Sequence, residues 1–221
     1  MAHDEHAPHG HPHDHGHGHG HGHAHEHGHD HVHDQADGLG PVADASVRVA
    51  RTSDAPAVGL VQAVVFRQAY AGVLEPQVLE QLEPRVFTNA WRASLEGEAA
   101  GDGVLLVACA GEQVVGFAAV GASSDPDAGD TTAELLVLAV HPDARSQGHG
   151  SRLLHAVVDT ARARGRDHLT AWLLASEDAV RAFLTDAGME PDGAHRERVV
   201  DADGRTVSEL RLAASVEPES P

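Results

Sequence analysis

The segment Arg145-Ser146-Gln147-Gly148-His149-Gly150 carries the most sharply defined chemistry in this sequence. Two glycines in a short turn let the backbone approach a ligand with no Cβ in the way. A helix opening directly after such a turn aims its free N–H groups at one spot, with the positive end of the helix dipole behind them. That chemistry is the binding of a phosphate or pyrophosphate. A second chemistry lies near the start of the chain. Fifteen of the twenty histidines fall between His3 and His33, alternating with Gly, Asp, Glu and Ala. Neutral imidazole is a good ligand for late transition metals. His11, His13, His15, His17, His19, His21, His23, His25, His27, His29 and His31 are therefore candidate ligands for Zn, Ni or Co ions. The competing reading is a solvated tail that takes up metal only because any polyhistidine would.

The elements that must position the glycine turn are legible around it. Glu134 to Val140 is apolar on both alternating faces, with Leu136, Leu138 and Val140 on one and Leu135, Val137 and Ala139 on the other. That pattern predicts a strand buried in the middle of a sheet. His141-Pro142-Asp143 ends it, because Pro142 has no N–H to give a ladder. After the turn, Gly150, Leu153, Leu154, Val157, Val158 and Ala161 fall at helical spacing. Gly165 is a plausible cap, and Arg162, Arg164 and Arg166 suit the negative end of the dipole.

The remaining chain follows an order of its own. Residues 1–40 are low complexity and are expected to be disordered. A first strand is centred on Val47 to Arg51. Ser53 or Asp54 caps a helix with Pro56 in its first turn, and a second helical region runs from Pro76 to Leu95 with a break near Pro84. Gly103–Ala110 and Val114–Val120 predict a hairpin. Beyond the central stretch come a strand at His168–Leu174, a helix from Ser176, a turn at Pro191-Asp192-Gly193, and a last hairpin of His195–Asp201 with Thr206–Leu212. Residues 215–221 are expected to fray.

The six residues from Arg145 to Gly150 resemble the R/Q-x-x-G-x-G/A signature of the GNAT acetyltransferase superfamily. The element order resembles that family from about Ser46 to Leu212. Phe183 to Arg198 is similar to a stretch common in its bacterial members. The resemblance implies an α/β (α+β) GNAT fold over 41–214, a mixed central sheet of about six to seven strands flanked by about four helices. It implies acetyl-CoA as co-substrate, with the pyrophosphate held by Arg145, Ser146, Gln147, Gly148, His149, Gly150 and Ser151, and the pantetheine arm along Leu138, Ala139 and Val140. A Cβ at Gly148 or Gly150 is then expected to fall where the pyrophosphate lies. It implies that Glu134 acts as general base, its pKa raised by burial in an apolar strand. The competing role for Glu134 is pairing with an arginine. The phrase Phe66 to Leu74 resembles a family feature beside the acceptor site, which makes Tyr70 and Trp91 candidate substrate contacts. Ordinary core packing is the alternative for both. One position departs. Many members carry a tyrosine after the phenylalanine, near the departing thiolate, and this chain has Leu184.

Composition bounds these readings. The formal net charge is −19 at pH 7, which disfavours nucleic acid or an anionic membrane surface as a partner and mildly favours a cationic substrate. No run approaches the roughly 20 apolar residues of a membrane span, and no apolar segment near the start resembles a secretory signal. The single cysteine, Cys109, fits a reducing cytoplasm. Every basic residue is arginine, so the metal-chaperone GTPases that carry similar histidine tracts are excluded, because their phosphate loop needs lysine. What stands is an N-acetyltransferase acting on a small-molecule amine or on a peptide or protein amine. The alternative is a weakly active acyl-CoA-binding module of the same fold with a metal-buffering tail. A homodimer stays open.

Overall fold

The computed structural model describes residues 45–97, 103–200 and 204–217. Chain contacts divide the molecule into residues 1–39 and 40–221, and every described residue belongs to the second unit. The histidine ligands proposed from the sequence lie outside the described residues.

The order of elements is β1 (Ala45–Val49), α1 (Ala55–Ala69), α2 (Pro76–Glu80), α3 (Pro84–Glu96), β2 (Val104–Ala110), β3 (Gln113–Ala122), β4 (Thr132–Val140), α4 (His149–Ala163), β5 (His168–Leu174), α5 (Asp178–Asp186), β6 (Glu190–Val199) and β7 (Thr206–Ser215). Seven strands form one sheet in the order β1-β2-β3-β4-β5-β7-β6. β4 and β5 are parallel, and every other neighbouring pair is antiparallel. Among the described residues there are five α-helices, one more than the sequence suggests, because Pro84 separates α2 from α3 cleanly. No described helix is long and apolar enough to cross a membrane.

Each face of the sheet has its own core. On one face Leu153, Leu154, Val157 and Ala161 of α4 pack on Leu106, Ala118, Val120, Leu135 and Leu169. On the other, Val58 and Val61 of α1 pack on Leu105, Val107, Phe117 and Ala139. α3 lies across α1 at Gly59. A Cβ there would come 2.6 Å from the Thr88 backbone nitrogen and 2.7 Å from the Pro84 carbonyl oxygen, so only glycine permits the approach. The chain enters α1 through Asp54. Its carboxylate accepts the Arg51 N–H at 2.7 Å and two bonds from the Arg48 guanidinium, at 2.6 and 2.8 Å.

Three expectations are corrected. β4 does not alternate throughout. Val120 faces Leu135 while Ala119 faces Val137, so Leu136 is an extra residue in a β-bulge and is 55% exposed. A bulge flips the alternation. Leu135 faces α4, and beyond the bulge Leu138 and Val140 do so, while Val137 and Ala139 face α1. Second, Pro191-Asp192-Gly193 is no turn between elements but an irregularity within β6, between Pro191 opposite Leu212 and His195 opposite Leu210. Third, the chain is ordered past residue 214. β7 continues to Ser215, and buried Val216 donates its N–H to the Asp167 carbonyl at 2.8 Å.

Candidate active site

β4 and β5 pair over only three residues, Thr132–Glu134 with His168–Thr170. Beyond Glu134 the strands part, and Leu136 bulges at the point of divergence. The backbone of Leu138, Ala139 and Val140 therefore keeps its pairing with β3 but has no strand on its other side. An opened parallel pair of this kind offers a strand edge to a ligand carrying amides.

The glycine turn closes the top of this opening. Ser146 and Gly148 both have positive φ, 59° and 80°, and α4 starts on the next residue. Successive backbone N–H groups in such a turn form an anion-binding concavity at the helix N-terminus. Arg152, one turn into α4, folds back over it and donates to the Gln147 carbonyl at 3.0 Å. A Cβ on Gly148 would meet its Nη1 at 2.9 Å. Arg145 turns the other way. It donates to the Val140 carbonyl and to Gln68 Oε1 of α1, both at 3.2 Å. The exposed side chains of Ser146, Gln147 and Ser151 border the same turn.

His149 is only 3% exposed, and its Nδ1 has no hydrogen-bond partner. Leaving such an atom dry costs roughly 1–3 kcal/mol. Burial lowers its pKa, with the Arg152 charge adding to the effect. Gly150 faces inward. A Cβ there would meet the Phe183 ring at 3.4 Å and Val140 Cγ2 at 3.9 Å, not the open side of the turn. A Cβ at Gly150 would thus press on Phe183, whereas one at Gly148 would press on Arg152. Leu184 is likewise not at the opening. It is 3% exposed within the α4-side core, and its neighbour Phe183 is the side chain that reaches the turn.

Glu134 lies at the closed end of the opening and is 9% exposed. Its Oε2 accepts the Ser123 hydroxyl at 3.4 Å. Burial raises its pKa above the ordinary carboxylate range, and the neighbouring Asp125 charge raises it further. The Ser124 N–H, Arg196 and Ser123 oppose the shift. Glu134 makes no ion pair within contact distance among the described residues, so the arginine-pairing alternative is not what the geometry shows. Its surroundings are an ionic network. Asp125 accepts Trp172 Nε1 at 2.8 Å and Arg211 at 3.0 Å, and lies 3.8 Å from Arg196. Arg196 stacks over the Trp172 ring at 4.1 Å and bonds Glu209 at 2.7 Å.

Tyr70 and Trp91 separate. Tyr70, at the end of α1, accepts Arg198 Nη2 on its hydroxyl at 2.6 Å and borders a cavity with Phe66, Phe87 and Val199. Trp91 instead donates to Gln62 Oε1 at 2.6 Å and packs edge-on against Phe117 at 5.7 Å. Among the described residues no group of three or more His, Cys, Asp or Glu side chains is placed to hold a metal ion.

The model of the Acetyltransferase (GNAT) family matches residues 67–189, more than half of the chain. The chain belongs to that family. A mycothiol acetyltransferase of Parafrankia sp. is 35% identical over 116 residues, which is 52% of this chain and 30% of that protein. The chain thus spans less than a third of that relative's length. A ribosomal-protein-alanine N-acetyltransferase from Brucella melitensis superposes with a TM-score of 0.58 at 28% identity, covering 77% of this chain and 99% of that one. A structure from Salmonella typhimurium with its cofactor acetyl-CoA superposes with a TM-score of 0.55 at 18% identity, covering 80% and 96%.

For this GNAT domain the residues present fit acetyl-CoA. The open side of β4 beyond Glu134, where no strand pairs with it, suits a pantetheine arm. The positive-φ turn, with Arg152 over it, suits a pyrophosphate. The sequence missed several residues of the site. Arg152 follows Gly148 by four, the spacing that stacks side chains on one helix face, so its place was open to sequence reasoning. Gln68, Ser123, Asp125 and Arg198 come from distant segments and carry no local signal.

Proposed function

We propose that this domain transfers acetyl from acetyl-CoA to a primary amine, on a small molecule, a peptide or a protein, by direct attack. The observation that carries the reading is the parting of β4 from β5 directly below a positive-φ turn that opens a helix. In the reaction the amine nitrogen forms a bond to the thioester carbonyl carbon and the C–S bond breaks. The products are the acetamide and the CoA thiol, the amine giving up one proton.

The chain's own residues then take stated roles. Backbone groups of Leu138, Ala139 and Val140 align the pantetheine arm. The loop from Arg145 to Ser151, with Arg152, binds the pyrophosphate. Glu134 accepts the amine proton at a carboxylate oxygen, directly or through water. A raised pKa suits that task, because a base is most useful when its pKa lies near the working pH. The departing thiolate needs no fixed acid, since a thiol of ordinary pKa near 8.5 is a fair leaving group at neutral pH. Tyr70 contacts the acceptor side, while Trp91 has the contacts of a packing residue.

Release of CoA thiol from acetyl-CoA in the presence of a panel of primary amines tests this reading. Amine-dependent release that is lost in Glu134→Gln supports it. Tight acetyl-CoA binding with no amine-dependent release would leave a binding module instead.

A further inference from the structure

The cavity beside Tyr70, of about 280 Å³, lies between the end of α1, the α2–α3 segment and the end of β6. Its wall is aromatic. Phe66 meets Tyr70 and Phe87 edge-on, each with ring centroids 5.7 Å apart, and Leu74, Leu82, Val199 and Val200 add apolar lining. Arg198 is the only ionic group on the wall among the described residues, and its charge is already engaged. It donates to the Tyr70 hydroxyl at 2.6 Å and to Glu209 at 2.8 Å. An occupant therefore meets apolar surface and no free anion receptor.

A run of side-chain contacts joins the cavity wall to the surroundings of Glu134. Glu209 bonds both Arg198 and Arg196, Arg196 lies 3.8 Å from Asp125, and the loop carrying Asp125 also carries Ser123, which bonds Glu134. α1 ties the cavity to the glycine turn, since Gln68 bonds Arg145 two residues before Tyr70. Among the described residues of this run, the carboxylates of Asp125, Asp127, Glu134, Asp192 and Glu209 outnumber the guanidiniums of Arg196, Arg198 and Arg211. Such a surface concentrates ammonium ions at the mouth, while the aromatic wall takes the rest of the molecule.

We propose that the acceptor is a small primary amine on an aromatic or branched apolar body, with the body held in the Phe66–Phe87 cavity. The inference rests on the acetyl-transfer reading and names its substrate class. Its volume of about 280 Å³ takes one ring on a short chain. The transfer is the one already written: nitrogen to carbonyl carbon, thiol leaving, the proton taken by Glu134.

The test uses the full chain with acetyl-CoA and compares phenethylamine, isoamylamine, ethanolamine, putrescine and the peptide Phe-Gly-Gly. The expected kcat/KM is at least tenfold higher for the first two than for the rest. Phe87→Ala should raise KM for phenethylamine about tenfold with a smaller effect on kcat. Val199→Asp changes an edge residue that is 62% exposed, so folding is not at stake. It should shift preference from phenethylamine toward putrescine. Best activity on ethanolamine, putrescine or the peptide would overturn the proposal, as would equal loss for all amines in Phe87→Ala. If no amine supports turnover, direct calorimetric binding of phenethylamine decides separately. Binding weakened by Phe87→Ala keeps the cavity assignment while transfer fails, and no binding removes the assignment.

Discussion

Phe183 lies against Gly150 so closely that a Cβ on the glycine would come within 3.4 Å of the ring's Cζ. Leu184, which follows it, points into the core and is sealed there. The pair reverses the roles implied by family resemblance, which put residue 184 beside the thiolate. Leu184→Tyr is therefore expected to overpack the α4-side core, at a cost of about 1–3 kcal/mol, and to give no gain in kcat. Thermal melts and steady-state turnover of Leu184→Tyr and Leu184→Phe check this. A faster Tyr than Phe variant of wild-type stability would show that residue 184 does reach the leaving group.

Gly148 and Gly150 should respond differently to alanine. At Gly148 the backbone is left-handed, φ 80°, and a Cβ presses on Arg152. The strain alone is roughly 1–2 kcal/mol. Acetyl-CoA affinity should fall tenfold or more in Gly148→Ala, about 1.4 kcal/mol. In Gly150→Ala the new methyl faces Phe183, and the loss should appear mainly as a lower Tm. Calorimetric titration with acetyl-CoA separates the two, and equal affinities would remove the assignment of Gly148 to the pyrophosphate.

Glu134 as base predicts a pH–rate profile that rises through a pKa above the usual carboxylate value. Its pKa is raised by burial and by Asp125, so the active carboxylate form is lost earlier than usual as pH falls. Glu134→Gln should lower kcat by roughly 10²-fold and flatten that rise, with acetyl-CoA affinity little changed. Asp125→Asn should move the rise to lower pH, because a neighbouring negative charge is removed. A Glu134→Gln enzyme with wild-type kcat and profile would sink the role.

Asp54 predicts a stability effect. Its pKa is held below the usual carboxylate range, chiefly by the Arg48 hydrogen bonds, against the opposing effect of burial. A depressed carboxylate stabilises the fold above its unfolded pKa of about 3.9, and the stability drains away as pH falls toward the folded value. Asp54→Ala should cost about 2–4 kcal/mol at pH 7, since it strands Arg48 and an Arg51 N–H. Urea unfolding at pH 7 and pH 3 should show the difference shrinking at the lower pH. A constant difference would mean that packing, not the charge, is responsible.

The histidine tract should bind several late transition-metal ions independently of the fold. Ligation needs neutral imidazole, so affinity should collapse as pH falls through about 6.5. Deleting residues 1–33 should abolish multi-ion binding and leave Tm and acetyl-CoA affinity intact. Loss of turnover on deletion would show that the tail is coupled to the site.

Local pattern determined much of this molecule. Strand periodicity, Pro84, Pro142 and the glycines around His149 were enough to place most elements and the glycine turn, because those signals act over a few residues. The burial of Glu134 was likewise legible in the apolar run around it. What only tertiary structure decided are relations between strands and across the sheet. The bulge at Leu136 exists because β3 and β4 differ by one residue in register, and no single strand carries that count. The same register error is why the sequence put Leu135 and Leu138 on opposite faces when both face α4. The Phe66–Phe87 cavity and the Arg198 bond to Tyr70 join residues far apart in the chain. Their proximity follows from where α1 and β6 pack on the sheet. Packing of that kind is set by the shape of the whole core, which no short stretch of sequence encodes.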